Sequence, residues 1–382
     1  MSKRKIVSFL LLLLLTVSVF IANIVIIENA KGQLPDVTQL NYNKNSGASP
    51  KTISKMEWLF NRISNDGIAF CSEGEETIEK EEAVTPVFVN ENWFTVYKAK
   101  INGKNISAQN IKNKDKVAVI GSQLALKLYF TTDAAGKKIN INGGQYTICG
   151  VICENEGFIN KLSSDNKQRV YIPYTTAEKY VVRTADTIAY DNSAYTAAIV
   201  EQMDLPQYYS VNLNDKNQTL SSFEHILYLA IFIGFSIIAL KLWYRFSRKF
   251  FEEIKENLKL NYFLKSLKNI PLKYVALVLV FAGIPVLLLV VFSICDFSIF
   301  IPSKYISNDN IFDLSNYLNV LVDNAQTLNS QSLTGNQMLV NLFSRTFTAS
   351  LWLTIIFLIS IITVLLNLTE LKLHKYKNTN KQ

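Results

Sequence analysis

The chain has 382 residues, 49% of them hydrophobic and 18% charged, and carries a formal net charge of +8. Its mean hydropathy of +0.15 is too high for an ordinary soluble protein and too low for membrane helices alone, so it predicts a few membrane helices joined to one sizeable aqueous domain. A basic excess would suggest nucleic acid in a soluble protein, but here the lysines and arginines cluster beside the apolar runs. There they mark the cytoplasmic face, so no nucleic-acid partner is expected.

Lys3, Arg4 and Lys5 precede Ile6–Ile27, a charge-free run of 22 residues that suffices for one helical crossing. A cleaved signal peptide competes with this reading. The apolar core is long for a signal, and Glu28 stands where a small residue is wanted, which favours an uncleaved helix with a cytoplasmic N-terminus, residues 1–27. Residues 28–222 form the expected extracellular domain. Lys31–Pro50 reads as a connector. Ser49-Pro50 supplies an N-cap and a first-turn proline for a helix striped by Ile53, Met56, Leu59, Phe60 and Ile63.

Ile68–Phe70 predicts a short strand. Glu73–Glu82 carries six glutamates. Clustered carboxylates suit calcium, but the spacing matches no EF-hand loop, so a solvated charge run and no metal are expected. Val84–Val89 is the next strand, and Ile101–Lys116 a polar hairpin or loop. Of the cysteines, Cys149 and Cys153 lie ~13 Å apart along one expected strand, beyond bridging range, and the Cys-x3-Cys spacing has no histidine beside it to make a zinc site.

Lys116–Ile152 organises the domain. Val117–Ile120 is a buried-strand run, Gly121-Ser122 a turn and N-cap, and Gln123–Phe130 a helix with Leu124, Ala125, Leu126 and Leu128 at helical spacing. Gly136 tolerates the positive φ that ends such a segment. Ile139 and Ile141 alternate as on a half-buried strand, Gly143-Gly144 signals a hairpin turn, and Gln145–Ile152 returns. Beyond lie a loop (Phe158–Gln168), a strand closed by proline (Val170–Pro173), a helix (Thr175–Val181) and strands at Ile188–Tyr190, Tyr195–Val200 and Tyr208–Val211. Strands and helices mix without regular alternation, so the class is α+β.

This order of residues resembles the extracellular core domain of MacB/FtsX-type ABC transporter permeases. The likeness rests on Val117–Ile120, Leu124-Ala125, Lys127-Leu128-Tyr129, Gly136-Lys137, Ile139, Ile141, Tyr146-Thr147-Ile148 and Gly150-Val151. Asn90–Tyr97 upstream and Val170–Lys179 downstream resemble flanking segments of the same family, and together the likeness spans roughly residues 84–180.

Three further apolar runs complete a four-transmembrane-helix membrane domain: residues 223–244, 274–295 and 348–368. They leave a cytoplasmic loop at 245–273, an extracellular loop at 296–347 and a basic cytoplasmic tail at 369–382, placing a multi-pass protein in the plasma membrane with both termini inside. Gly283 and Pro285 predict a kink in the third crossing. No Asp, Glu, Lys or Arg lies at the centre of a crossing, where ion-driven carriers keep such groups, and Asn23 is the lone amide.

His225 and His374 lack triad or metal partners nearby in sequence, and there is no G-x-x-x-x-G-K-[ST] phosphate loop. No catalytic residue, cofactor or metal is therefore expected. Ser247, Phe251, Ile254 and Leu258 form one helical stripe, which shifts to Leu260, Phe263, Leu264 and Leu267 before Pro271. The second crossing is thus expected to extend inward and be followed by a short amphipathic helix. Lipid binding is the alternative use of such a basic amphipathic segment.

The resemblance implies that this loop docks on a separate cytoplasmic P-loop ATPase, with Glu252, Glu253, Ile254, Phe263, Leu264 and Leu267 as contacts. Arg248–Leu260 keeps Arg248, Glu252, Glu253 and Ile254 of the family signature but lacks both of its glycines. The resemblance also implies a homodimer or pseudo-dimer whose helices pass ATPase-driven motion to the extracellular domain, for export or signalling. A membrane-anchored binding or sensor protein without an energy source is the alternative from another class.

Overall fold

The computed structural model describes residues 3–379 apart from 43–48, 64–66, 155–156, 158–160, 162, 164–165, 177–182, 192–197, 199, 202–203, 206, 261, 263–267, 269–270, 296, 301–314, 316–317 and 320–336. The chain divides into two compact units. One comprises Glu28–Thr219 with Ile301–Thr348, the other Met1–Ile27, Leu220–Phe300 and Ala349–Gln382.

The first unit is built on a mixed 11-stranded sheet. Its strands are β1 (Val37–Tyr42), β2 (Ile68–Glu73), β3 (Thr77–Glu79), β4 (Glu82–Val89), β5 (Ile101–Gly103), β6 (Val117–Gly121), β7 (Lys138–Ile141), β8 (Gly144–Ile152), β9 (Gln168–Pro173), β10 (Thr187–Asp191) and β11 (Tyr208–Asn212). The order is β11-β1-β10-β2-β4-β9-β6-β8-β5, with β3 beside β4 and β7 beside β8 off the main path. β4 with β9 and β6 with β8 run parallel, and the other pairs are antiparallel. Central strands bury both faces, which is why Val117–Gly121 and Val84–Val89 read as continuous apolar runs instead of alternating.

Helices cover the sheet: α2 (Ile53–Ile63), α3 (Trp93–Val96), α4 (Ala108–Asn113) and α5 (Ser122–Tyr129). On one face, Phe88, Ile120, Ile148 and Ile172 pack with Leu124 and Leu128 of α5 and with Ile139 and Ile141 of β7. On the same face, Phe70 and Ile188 pack with Ile53 and Met56 of α2. On the other, Cys71, Val89 and Val119 pack with Trp93 and Phe94 of α3 and Ile111 of α4.

The organising stretch forms as expected, with two differences of detail. Ser122 does not cap α5. The Glu154 carboxylate, from beyond β8, accepts from the Gln123 amide at 2.9 Å and from the Ser122 hydroxyl at 3.4 Å. A Cβ on Gly121 would lie 2.3 Å from that carboxylate, so the turn needs glycine for approach. The hairpin turn is Asn142-Gly143, both at positive φ (49° and 76°), one residue earlier than the Gly143-Gly144 reading. Asn-Gly with two left-handed residues is the turn whose twist matches the flanking strands.

Several expectations are corrected. The connector Lys31–Pro50 contains β1, paired on both sides in the sheet. The polar loop at 101–116 holds β5 and α4, the latter closed by a capping box in which Ser107 and Asn110 satisfy each other's amides. α2 starts at Ile53, with Thr52 Oγ1 accepting from Lys55 at 3.3 Å, so Ser49-Pro50 is not its cap. In the expected strand 195–200 the described residues Ala198 and Val200 are helical, as are Lys161 and Ser163 in the expected loop 158–168. In the expected helix 175–181, Tyr174–Thr176 is a 3-10 turn, and the rest lies outside the described residues.

The second unit is helical: α1 (Lys3–Lys31), α6 (Leu213–Leu260), α7 (Pro271–Ile294) and α8 (Gln337–Thr379), of which α1, α6 and α8 also extend into the first unit's residues. Three stretches among the described residues are long and apolar enough to cross a membrane, Val7–Lys31, Leu213–Glu256 and Leu339–Asn367. The expected third crossing forms α7, whose apolar part among the described residues is the shorter Phe281–Ile294. α8 begins at Gln337, inside the expected loop 296–347. Phe20 of α1 meets Phe357 of α8 at 5.7 Å and Tyr228 of α6 at 6.2 Å. Asn23 donates to Thr354 Oγ1 at 2.9 Å, joining α1 to α8.

Candidate functional site

Beside β4 and β9 the sheet unit carries a cleft of about 840 Å³. Its floor is the apolar surface of Phe88 and Ile172, both buried. One wall is the end of the β7–β8 hairpin, where Ile141 and the Asn142-Gly143-Gly144 turn expose backbone, with Lys116 beside Gly144. The other is the link from β2 to β3, with Glu75, Glu76 and Thr77. The Arg183 guanidinium sits 3.5 Å from the centre of the Phe88 ring. Tyr146 closes one side, its hydroxyl donating to Thr176 Oγ1 at 3.4 Å. The cleft thus combines two cations, two carboxylates and a hairpin turn above a buried apolar layer.

The acidic run is divided by β structure. Glu73 pairs with Arg169 and Lys167, each at 3.3 Å, and Glu82 with Lys127 at 2.9 Å. Glu79 is buried, whereas Glu75 and Glu76 are exposed at the cleft mouth. The reading of Glu73–Glu82 as a uniformly solvated run is thus corrected, because pleating turns alternate members inward. Among the described residues no group of three or more His, Cys, Asp or Glu is arranged to hold a metal.

A second polar feature joins α2 to the sheet. Tyr174, which touches all three core clusters, donates its hydroxyl to Glu57 Oε2. Burial pushes the Glu57 carboxyl up to about 7, the Glu91 charge adds to this, and the hydrogen bonds from Tyr174 and Asn90 pull the other way. Burial likewise raises the Cys149 thiol to about 11 and the Cys71 thiol further, so neither is a ready nucleophile.

Of the residues expected to dock a partner, Glu252 is exposed on α6 and pairs with Arg248 at 2.8 Å. Ile254 is buried, while its stripe neighbours Phe251 and Leu258 are exposed. Glu253 lies on the same helix. Phe263, Leu264 and Leu267 lie outside the described residues. α6 continues without a break to Leu260, so the expected helical continuation of the second apolar run is present. Sequence reading missed the cleft and Glu57. Tyr174 is 117 residues from Glu57, and Arg183 is 95 residues beyond Phe88 in the numbering, so neither pairing leaves a local signal.

The model of the MacB-like periplasmic core domain matches residues 10–204, half of the chain. No curated protein matches. Among solved structures, the periplasmic region of MacB from Actinobacillus actinomycetemcomitans is similar at 16% identity and a TM-score of 0.38, over 51% of this chain and 97% of that one. The extracellular domain of the noncanonic ABC-type transporter YknZ from Gram-positive bacteria is similar at 14% identity and a TM-score of 0.35, over 46% of this chain and 100% of that one.

Proposed function

We infer that this chain, which belongs to the family of the MacB-like periplasmic core domain found in ABC transporter permeases, is the permease subunit of a system powered by a separate ATPase. ATP binding and hydrolysis on a cytoplasmic P-loop partner would move the helices, and the helices would pass that motion to the sheet domain. The output is export of a substrate or switching of an extracellular target. The chain itself makes and breaks no bonds in this reading. It crosses the plasma membrane four times, α7 being the third crossing, with both termini in the cytoplasm and the sheet domain outside. It works as a homodimer or pseudo-dimer.

One observation carries the reading. Strand β11 ends at Asn212 and α6 begins at Leu213, running unbroken for 48 residues to Leu260. An α-helix of this length spans roughly 70 Å, more than twice a bilayer's hydrocarbon core. The helix follows the last strand directly and itself carries the apolar segment, which supports a reading in which motion passes along it. The exposed apolar stripe of Phe251 and Leu258 at that far end suits a protein partner.

Co-purification in mild detergent tests this. A P-loop ATPase retained by the wild-type chain and lost from a Phe263→Glu, Leu267→Glu double variant is the expected result. A chain that purifies with no ATPase under any condition returns the reading to an unpowered binding protein. Orientation has its own check: a cysteine replacing Ser164 should react with an impermeant thiol reagent in intact cells, and one replacing Ser266 should not.

A further inference from the structure

We propose that α8 has two rest positions against α1, one helical turn apart, with the Asn23 amide bonded to Thr354 in one and to Ser350 in the other. The structure holds the first. Asn23 Nδ2 donates to Thr354 Oγ1 at 2.9 Å and reaches the Ser350 carbonyl at 3.4 Å. Asn23, Ser350 and Thr354 are all buried. Asn23 Oδ1 and the Ser350 hydroxyl have no hydrogen-bond partner among the described residues. An unused acceptor on α1 and an unused donor on α8 thus lie inside an apolar unit, where each is costly to leave unpaired.

Ser350 differs here from other hydroxyls of the helical unit. Thr16 donates to the Leu12 carbonyl at 2.8 Å, Thr363 to Ile359 at 2.8 Å and Ser293 to Leu289 at 2.9 Å, the usual way a hydroxyl settles in an apolar helix. Ser350 makes no such bond. It stands four residues before Thr354, so the two hydroxyls share one face of α8, a turn apart. The helices run antiparallel, since Phe20 meets Phe357 and Asn23 meets Thr354. Sliding α8 by about 6 Å toward its own C-terminal end therefore brings Ser350 to the place of Thr354. Its hydroxyl then pairs with the Asn23 amide, and by the same count Phe20 exchanges Phe357 for Leu353, one apolar partner for another. Steps of one helical turn are a known form of switching between packed helices.

Connectivity makes α8 the element that moves. α1 leads into β1, α6 follows β11 directly, and β1 and β11 are hydrogen-bonded neighbours. α1 and α6 are thus tied to adjacent strands, whereas α8 is continuous with no strand among the described residues. The step does not depend on coupling to an ATPase and is measured without nucleotide, so this proposal and the powered-permease reading can fail separately.

Spin labels on Val7→Cys of α1 and Leu351→Cys of α8, both exposed positions, test it by electron double resonance on the full chain in nanodiscs, with the exposed Cys153 and Cys295 replaced by serine. Two distances are expected, the second about 5 Å shorter than the first. Thr354→Val keeps the side chain's shape but removes the partner of the first position, and should raise the share of the short distance about threefold. Ser350→Ala should lower it about threefold. With Asn23→Val added, neither substitution should move the ratio. A single distance in every variant overturns the proposal: one register is then fixed, and water satisfies the unpaired atoms in place. A ratio that ignores Thr354→Val and Ser350→Ala overturns it as well. So do shifts that persist without the Asn23 amide, because packing and not the amide would then set the register.

Discussion

The two units of this chain solve the same problem in opposite ways. In the sheet unit the large apolar side chains are inside: Phe70, Ile120, Leu124 and Ile172 are all under 2% exposed. In the helical unit comparable side chains face out, with Leu14 at 65% and Ile359 at 61%. Water drives the first arrangement. A lipid phase removes that drive, so the second unit holds together through ring contacts and a few polar bonds. Register in the sheet unit is fixed by burial, whereas helix pairing in the other depends on specific groups such as Asn23.

The largest effect should separate the units by the same truncation. Phe70→Ala, in the middle of β2, should cost about 3–5 kcal/mol of unfolding free energy. Leu14→Ala removes an outward-facing group and should leave helix packing unchanged. Denaturant melts of the sheet unit and reconstitution yields of the full chain measure the two. Equal losses at both sites would mean that α1 packs as a core helix and not as a lipid-facing one.

Glu57 tests the sheet unit further. Its folded pKa, about 7, lies above the ordinary carboxylate value, so the folded state holds a proton the unfolded chain gives up. Stability from this group is full below about pH 4.5 and declines as pH rises toward 7. Glu57→Gln, which stays neutral and can still accept from Tyr174, should remove that decline and stabilise the protein at pH 8 by up to a few kcal/mol. Melting temperature against pH for both proteins is the measurement. A wild-type profile that is flat between pH 5 and 8 would show Glu57 to be hydrated.

Asn90 extends the comparison to amides. It is 1% exposed, and its side chain replaces a strand partner: Oδ1 accepts from the Phe70 amide at 3.0 Å and Nδ2 donates to the Ile68 carbonyl at 2.7 Å. Asn90→Ala removes its bonds to the Phe70 amide and to the Ile68 carbonyl, which Asn92 Nδ2 also reaches at 3.3 Å, and should cost about 1–3 kcal/mol. A loss below ~1 kcal/mol would mean that water reaches the β2 end and replaces both bonds.

What the sequence could tell depended on whether the signal was local. The stretch from Val117 to Ile152 was legible because each element carries its own pattern: an apolar run, a helical stripe, a glycine turn placed one residue late, an alternating strand. β1 was not, because Val37–Tyr42 interleaves apolar residues with Thr38, Gln39 and Asn41. All three are buried, and Asn41 accepts from Thr187 across the sheet at 3.1 Å. A polar strand whose pairing strands are distant in sequence looks like a connector when read alone. The apolar runs of the membrane were legible from length and composition. The cleft was not, since its lining comes from six separated stretches, at 75–77, 88, 116, 141–146, 172–176 and 183, that only the fold brings together.

Phe130 shows a local cost in the sheet unit. It ends α5 in the left-handed region at φ 56° and is 90% exposed, so it strains the backbone without packing. Phe130→Gly should raise stability by about 1 kcal/mol, read as a higher melting temperature. A fall would mean that the ring has a partner in the folded protein.

The smallest expected effect belongs to the helical unit and is the sharpest probe of its difference from the sheet. Asn23 is fully buried and donates to Thr354 Oγ1 at 2.9 Å and to the Ser350 carbonyl at 3.4 Å. In the sheet, deleting such an amide removes bonds to backbone groups held away from water. In α8, the Ser350 carbonyl sits mid-helix, where the helix's own ladder satisfies it, and Thr354 can turn its hydroxyl back onto the preceding turn. Asn23→Val should therefore weaken the α1–α8 pairing by only about 0.6 kcal/mol, the average for polar bonds between membrane helices. Proximity of cysteine pairs placed on α1 and α8, compared in wild type and variant, measures it. A loss as large as that of Asn90→Ala would mean that the two units are held by the same physics after all, with the α1–α8 contact a dry polar core and not an adjustable seam between helices.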